Sequence, residues 1–293
     1  ISPRELSADH GAALPTPTSL FVSCVAWSDK GVMSVNLDLP SEALYGADTN
    51  NLLSPHLMSV GRGRHGGDVG LAVAGSFLLW TDLYLLLHLL NRRCSAEWNC
   101  RTITALHGAL SASLCLISAV IVGPWPFSYV GEKSTEFHTV IMVISLGYFL
   151  FDFLWCLYMR TEGPVMLAHH VVSLLGLAYV LYQGRYGSEL TAVMGASECT
   201  NPLLQLRWFM KEAGHYTGRK ALLVDYLFVS LFLAARLGAG SVFHYVCQTS
   251  PKLNLIIKAG GQAFYIISVI FGIQLCMFFY RKYLKKKRSK REN

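Results

Sequence analysis

The chain has 293 residues, of which 53% are hydrophobic and only 15% charged, where soluble domains carry about 25% charged residues. The formal net charge is +7, and the last thirteen residues, with eight Lys/Arg and one Glu, hold all of it. A mean hydropathy of +0.38 argues against a water-soluble enzyme. A basic tail also argues against a nucleic-acid reader, whose Lys and Arg spread over a folded face.

Residues 1–68 hold seven acids and four bases among recurrent Pro, Ser and Gly, and their one apolar run, Leu20–Trp27, is too short to span a bilayer. This composition predicts a largely disordered arm without the layout of a secretory signal. A spanning helix needs about 20 mostly apolar residues. Such runs follow at Val69–Leu90, Thr102–Val122, His138–Met159, Pro164–Tyr182, Ser188–Met210, Ala221–Val246 and Lys258–Tyr280. The fifth is the least apolar, because it carries Glu198, Asn201, Gln205 and Arg207. With it, the chain reads as an all-α, multi-pass transmembrane helical bundle of about seven spans.

Lys and Arg in short loops mark the cytosolic side. The basic tail, 281–293, is therefore expected in the cytosol and the arm, 1–68, in the lumen or outside the cell. Connectors 91–101 and 211–220 then face the cytosol, each with a net charge of +2. The tail is expected to meet anionic lipid headgroups, at about 1 kcal/mol per basic residue.

Ionisable residues inside a bilayer are costly and by default suggest function. Counted at about 1.5 Å per residue from the cytosolic helix ends, Asp82, His107, Asp152, His169, His170, Gln205 and Asp225 fall into one layer of the cytosolic half. Glu198 and Asn201 lie nearer the midplane, and Arg236 deeper still. This predicts a polar cavity holding a lipid headgroup or reactive group, with Asp82, His107, Asp152, Asn201, Gln205 and Asp225 as its binding residues. Thr191, Glu198, Asn201 and Gln205 are spaced to share one helix face, and Pro202 frees a carbonyl, that of Glu198, beside the carboxylate.

No metal site is expected. The eight cysteines show no CxxC pair or zinc-type spacing, and those within helices read as small apolar packing. Cys94 and Cys100, placed in a connector, read as possible acylation sites. Neighbours such as His169 and His170 point about 100° apart on a helix, which is poor geometry for chelating one ion. Either histidine could serve as a general base.

The segments Leu167-Ala168-His169-His170-Val171-Val172-Ser173 and Ser197-Glu198-Cys199-Thr200-Asn201-Pro202-Leu203-Leu204-Gln205-Leu206-Arg207-Trp208-Phe209 resemble the TLC (TRAM-Lag-CLN homology) domain. So do Glu97-Trp98-Asn99-Cys100-Arg101, Gly123-Pro124-Trp125-Pro126-Phe127 and Gly147-Tyr148-Phe149-Leu150-Phe151-Asp152. The resemblance implies a six-helix TLC domain over 94–280, preceded by one transmembrane helix within 69–93, and a part in membrane-lipid handling. In the family's ceramide synthases, two adjacent histidines and two later aspartates three residues apart accompany transfer of an acyl chain from acyl-CoA to a sphingoid amine. His169 and His170 match the pair, but Glu198 and Asn201 stand at the aspartate positions. The expectation is therefore a protein that binds membrane lipids without a cofactor. The alternative is a lipid N-acyltransferase with His169, His170 and Glu198 as catalytic groups and acyl-CoA as co-substrate. The ending Lys290-Arg291-Glu292-Asn293 loosely resembles a retrieval signal, which favours the endoplasmic reticulum over the plasma membrane.

Overall fold

A computed structural model describes residues 66–160 and 162–285. The expectations for the N-terminal arm up to residue 65 and for the tail beyond residue 285 lie outside the described residues. Among the described residues nine α-helices follow in order: α1 (Gly66–Leu90), α2 (Ala96–Ile117), α3 (Glu136–Met159), α4 (Pro164–Gln183), α5 (Gly187–Glu198), α6 (Asn201–Glu212), α7 (Gly218–Phe232), α8 (Gly240–Thr249) and α9 (Leu255–Phe279). Three π-helical stretches extend them: Ser118–Val122 after α2, Leu233–Ala239 between α7 and α8, and Tyr280–Lys285 after α9. Among the described residues, six helical stretches are long and apolar enough to cross a membrane: Gly67–Leu90, Ala96–Val122, Glu136–Met159, Pro164–Gln183, Gly218–Thr249 and Leu255–Tyr283.

Local chemistry sets the helix ends. The Ser95 hydroxyl accepts from the Trp98 amide at 3.1 Å, and Asn254 accepts from Ile257 at 3.0 Å, each satisfying an amide that a helix start leaves orphaned. Thr135 and His138 form a reciprocal capping box at the start of α3. Pro164 opens α4, where its missing N–H costs nothing, and Gly184 closes it in the left-handed region at φ 61°.

α3 lies at the centre. Met142 and Ile141 are 0% and 1% exposed, while α1 presents Leu71, Leu78, Leu79 and Leu86 outward. An apolar belt of this kind suits a hydrocarbon solvent rather than water. α1 packs closely on α3 because Gly147 has no side chain: a Cβ there would stand 2.3 Å from the Ser76 hydroxyl oxygen. Ser76 Oγ and Trp80 Nε1 both donate to the Ile144 carbonyl, at 3.2 and 3.1 Å. The architecture is thus an all-helical, multi-pass membrane bundle.

The run expected as one span, Ser188–Met210, is two helices of 12 residues each, broken at Cys199 and Thr200. Together they run antiparallel to α2. Gly187 packs beside Ser134 and His138 at one end of the bundle, Gly195 beside Cys115, and Trp208 and Phe209 against Trp98 at the other. The break precedes Pro202 because a proline, which lacks an N–H, is tolerated in the first turn of the new helix. At the break the Ser197 carbonyl accepts from Thr200 Oγ1 at 2.9 Å and from Arg236 Nη2 at 3.0 Å.

Candidate functional site

Asn201 starts α6 where α2 passes closest: a Cβ on Gly108 would lie 2.9 Å from the Asn201 Cβ. From this crossing a chain of side-chain hydrogen bonds runs along α5 and α6. Arg101 Nη1 donates to Gln205 Oε1 at 3.3 Å, Gln205 Nε2 to Asn201 Oδ1 at 2.9 Å, and Asn201 Nδ2 to Glu198 Oε2 at 3.1 Å. Every donor points toward the carboxylate, so both amides are polarised to stabilise its negative charge. At the far end Glu198 Oε2 lies 3.6 Å from His107 Nδ1. His107 is fully buried, stacked on Tyr148 with ring centroids 3.7 Å apart and 3.3 Å from Ser145 Oγ through Nε2.

These groups flank a polar cavity of about 350 Å³ whose wall includes Arg101, Asp152, His169, His170, Glu198 and Gln205. It reaches the end of the bundle that carries connectors 91–95, 160–163 and 213–217, where Glu97 and Glu162 have side chains 36% and 26% exposed. Arg101 holds both of them, at 2.9 and 3.7 Å. Burial raises the Glu162 carboxyl above its ordinary pKa, against the downward pull of Arg101. The Arg101 guanidinium also lies over the Trp208 ring at 4.8 Å.

A second, mostly apolar cavity of about 470 Å³ lies between α4, α5, α8 and α9. Its wall includes Val172, Gly176, Leu190, Val193, Ile257 and Phe264. Phe149, His169, Glu198 and Arg236 line both spaces. Polar and apolar volumes therefore share one wall in mid-bundle.

Of the six expected binding residues, Asp152, Asn201 and Gln205 line the cavity, and Asp82, His107 and Asp225 do not. Asp82 is exposed on α1, which turns it away from the cavity: depth along a helix does not say which face a residue occupies. Asp225 is 0% exposed but is consumed by an ion cluster, with Arg207 Nε at 2.6 Å, Lys282 Nζ at 2.8 Å, the Tyr283 hydroxyl donating at 2.6 Å and Tyr216 also donating. His107 stands behind the wall, held by Glu198, rather than in the wall. His169 and His170 diverge as their spacing predicts, with ring planes at 64°. The carboxylate beside the pair is Asp152, whose Oδ2 is 3.6 Å from His170 Nε2; Glu198 faces His107 and Asn201 instead.

Reading the sequence missed Arg101, Glu162 and Cys156 as parts of the wall. The i, i+4 spacing of Asp152 and Cys156, which sets them on one helix face, was the available signal for the thiol. Cys100, expected in a connector, sits within α2 and is 2% exposed, which leaves Cys94 as the accessible thiol of the two.

A profile of the TLC domain matches residues 97–285. TLC domain-containing protein 4-B of Xenopus laevis is 26% identical over 151 residues, covering 48% of this chain and 54% of that protein. The chain thus spans about half the length of that curated relative. No solved structure matches.

Proposed function

This chain belongs to the TLC domain family, and we propose that it takes part in membrane-lipid handling by holding one lipid in its interior, headgroup in the polar cavity and hydrocarbon in the apolar one. The observation that carries this reading is the shared wall: a cavity of about 350 Å³ with charged groups set among apolar ones in its wall, and a mostly apolar one of about 470 Å³, meet at His169, Glu198 and Arg236. An amphipathic molecule suits both halves at once, since its hydrocarbon packs against the apolar wall much as it does in the bilayer while its headgroup supplies hydrogen-bond partners to buried polar groups. With the basic tail in the cytosol, the polar mouth faces the cytosol, and the endoplasmic reticulum is the favoured membrane.

The test is mass spectrometry of lipids retained by the purified full chain. Wild type is expected to carry about one lipid per chain, of one headgroup class. Gly176→Leu fills the apolar cavity at a position with only Leu190 Cδ1 nearby, at 3.9 Å, and is expected to lose the lipid while the protein stays folded. A wild-type preparation with no enriched lipid, or a Gly176→Leu variant with undiminished occupancy, overturns the reading.

A second reading, lipid N-acyl transfer, draws on one observation: the 3.6 Å approach of Asp152 to His170. A carboxylate behind an imidazole orients it as a general base, so His170 with Asp152, rather than with Glu198, would carry the step. Turnover of acyl-CoA with an amine lipid that is lost in His170→Ala and reduced in Asp152→Asn would establish it. Turnover that survives both substitutions would remove it.

A further inference from the structure

Asp152 and Cys156 on α3 and His170 on α4 each offer one ligand atom, and the three atoms lie within 4.8 Å of one another. We propose that these residues bind a single divalent metal ion of the zinc type in the wall of the polar cavity. No sequence spacing announces the site, because its third ligand comes from another helix.

Three observations converge on it. First, the donor set is one carboxylate oxygen, one thiolate and one imidazole nitrogen, a mixed hard and soft set that suits zinc rather than magnesium or calcium. Second, the 3.6 Å between His170 Nε2 and Asp152 Oδ2 is too long for a hydrogen bond. It is close to the edge of a zinc tetrahedron, about 3.3–3.7 Å for metal–ligand bonds of about 2.0–2.3 Å. Bringing the third ligand from within 4.8 Å to that spacing takes small side-chain rotations.

Third, the cavity wall has an unmatched formal charge. It carries the carboxylates of Glu97, Asp152, Glu162 and Glu198 and the guanidinium groups of Arg101, Arg207 and Arg236. Arg207 is committed to Asp225 at 2.6 Å. Asp225 has Lys282 as a second cation, so with that cluster included five carboxylates face four cations, an excess of one negative charge. Zinc coordination removes the thiol proton of Cys156, which raises the excess to two, and a dication matches it.

Three protein ligands leave a fourth position, as in zinc sites that accept water or a substrate oxygen. All three ligand residues line the polar cavity, so that position is available to an oxygen of a headgroup. His170 Nδ1 is buried without a hydrogen-bond partner. A ring not pinned from behind typically costs about 10–100-fold in metal affinity, which makes the site an exchangeable one.

The test uses untagged, full-length protein in detergent, stripped with a chelator, loaded with zinc and analysed for bound metal. The expected content is about one zinc per chain in wild type and in the Cys276→Ser control, an exposed thiol elsewhere. Asp152→Asn, Cys156→Ser and His170→Gln should each weaken binding by about tenfold or more. Cobalt loading of wild type should give thiolate-to-cobalt charge-transfer absorption that Cys156→Ser abolishes. The wild-type cobalt spectrum needs no variant to fold, and its lack of a thiolate band overturns the proposal. So does zinc binding that survives all three substitutions. Retained lipid is measured on the same preparations. Metal absent with lipid present removes only this inference, and metal present with lipid absent removes only the lipid reading.

Discussion

A carboxylate sealed from solvent needs a reason to stay charged, and Asp225 has four: Arg207, Lys282, Tyr216 and Tyr283 all donate to it. Its partners come from α6, the connector after it, and the π-helical end of α9, so one side chain ties together three parts of the bundle. Removing one member of a buried pair typically costs about 3–5 kcal/mol, because the other charge is left uncompensated. Asp225→Asn is therefore expected to lower thermal stability markedly, as followed by size-exclusion after heating. Arg207→Met alone should be milder, since Lys282 still balances the carboxylate. Equal stability of Asp225→Asn and wild type would refute the structural role. Its depth along the helix suggested a binding role for Asp225, whereas in the structure its oxygens are taken up by these four donors. Its salt-bridge partners stand 18 and 57 positions away in the chain, and no helical period connects them.

Depth along a helix can be counted from residue numbers; azimuth against neighbours cannot, and this separates what the sequence shows from what it hides at the scale of elements. The long apolar runs located the spanning helices, and hydrogen bonds join Glu198, Asn201 and Gln205, although the break at Cys199 and Thr200 puts Glu198 on α5 and the other two on α6. The interruption at Cys199 and Thr200 was foreshadowed by Pro202, but its cap was not, since Arg236 reaches Ser197 from a π-helical stretch 39 residues on. Arg236→Met leaves a carbonyl at the break with one donor fewer, a loss of about 1.5–3 kcal/mol for hydrogen bonds to charged groups. Amide hydrogen exchange should quicken over residues 197–204 and stay slow in α3. Unchanged protection at the break would count against the cap. The α2–α6 crossing makes a second demand: Gly108→Val puts a Cβ 2.9 Å from that of Asn201, with two methyl groups beyond it. Overpacking of this kind costs about 1–3 kcal/mol, and displacing Asn201 cuts the relay between Gln205 and Glu198. Retained lipid should fall in this variant more than stability does. The reverse outcome would make the crossing a packing contact alone.

Across the whole molecule the two ends of the bundle differ. At the end with the polar mouth, the Asp225 cluster holds the helices together beside an accessible cavity. At the opposite end the connectors are clasped to one another: Arg185 Nη2 donates to the Gly131 carbonyl at 2.6 Å, the Ser134 amide to the Gly184 carbonyl at 3.0 Å, and the Tyr186 amide to the Glu132 carbonyl at 3.0 Å. Lys252 then joins Glu132 at 2.6 Å across 120 residues of chain. These contacts favour access to the interior from one end, which fits the charge asymmetry that the sequence alone displays. The Glu132–Lys252 pair makes the clasp sensitive to pH. The Lys252 ammonium, through its hydrogen bond and its charge, holds the Glu132 carboxyl below its usual pKa. A carboxylate depressed on folding stabilises the fold above its unfolded pKa, about 4.3 for Glu, and that contribution is lost as pH falls through the folded value. The pair is solvent-exposed, so the effect is small and weakens with salt. Wild type should exceed Lys252→Ala in melting temperature by a small margin at pH 6 in low salt. The margin should shrink as pH is lowered below about 4 and shrink also in about 1 M salt. A margin independent of pH and salt would assign the contribution of Lys252 to the packing of its methylene stem against Gly131, whose position a Cβ would bring within 2.4 Å of it.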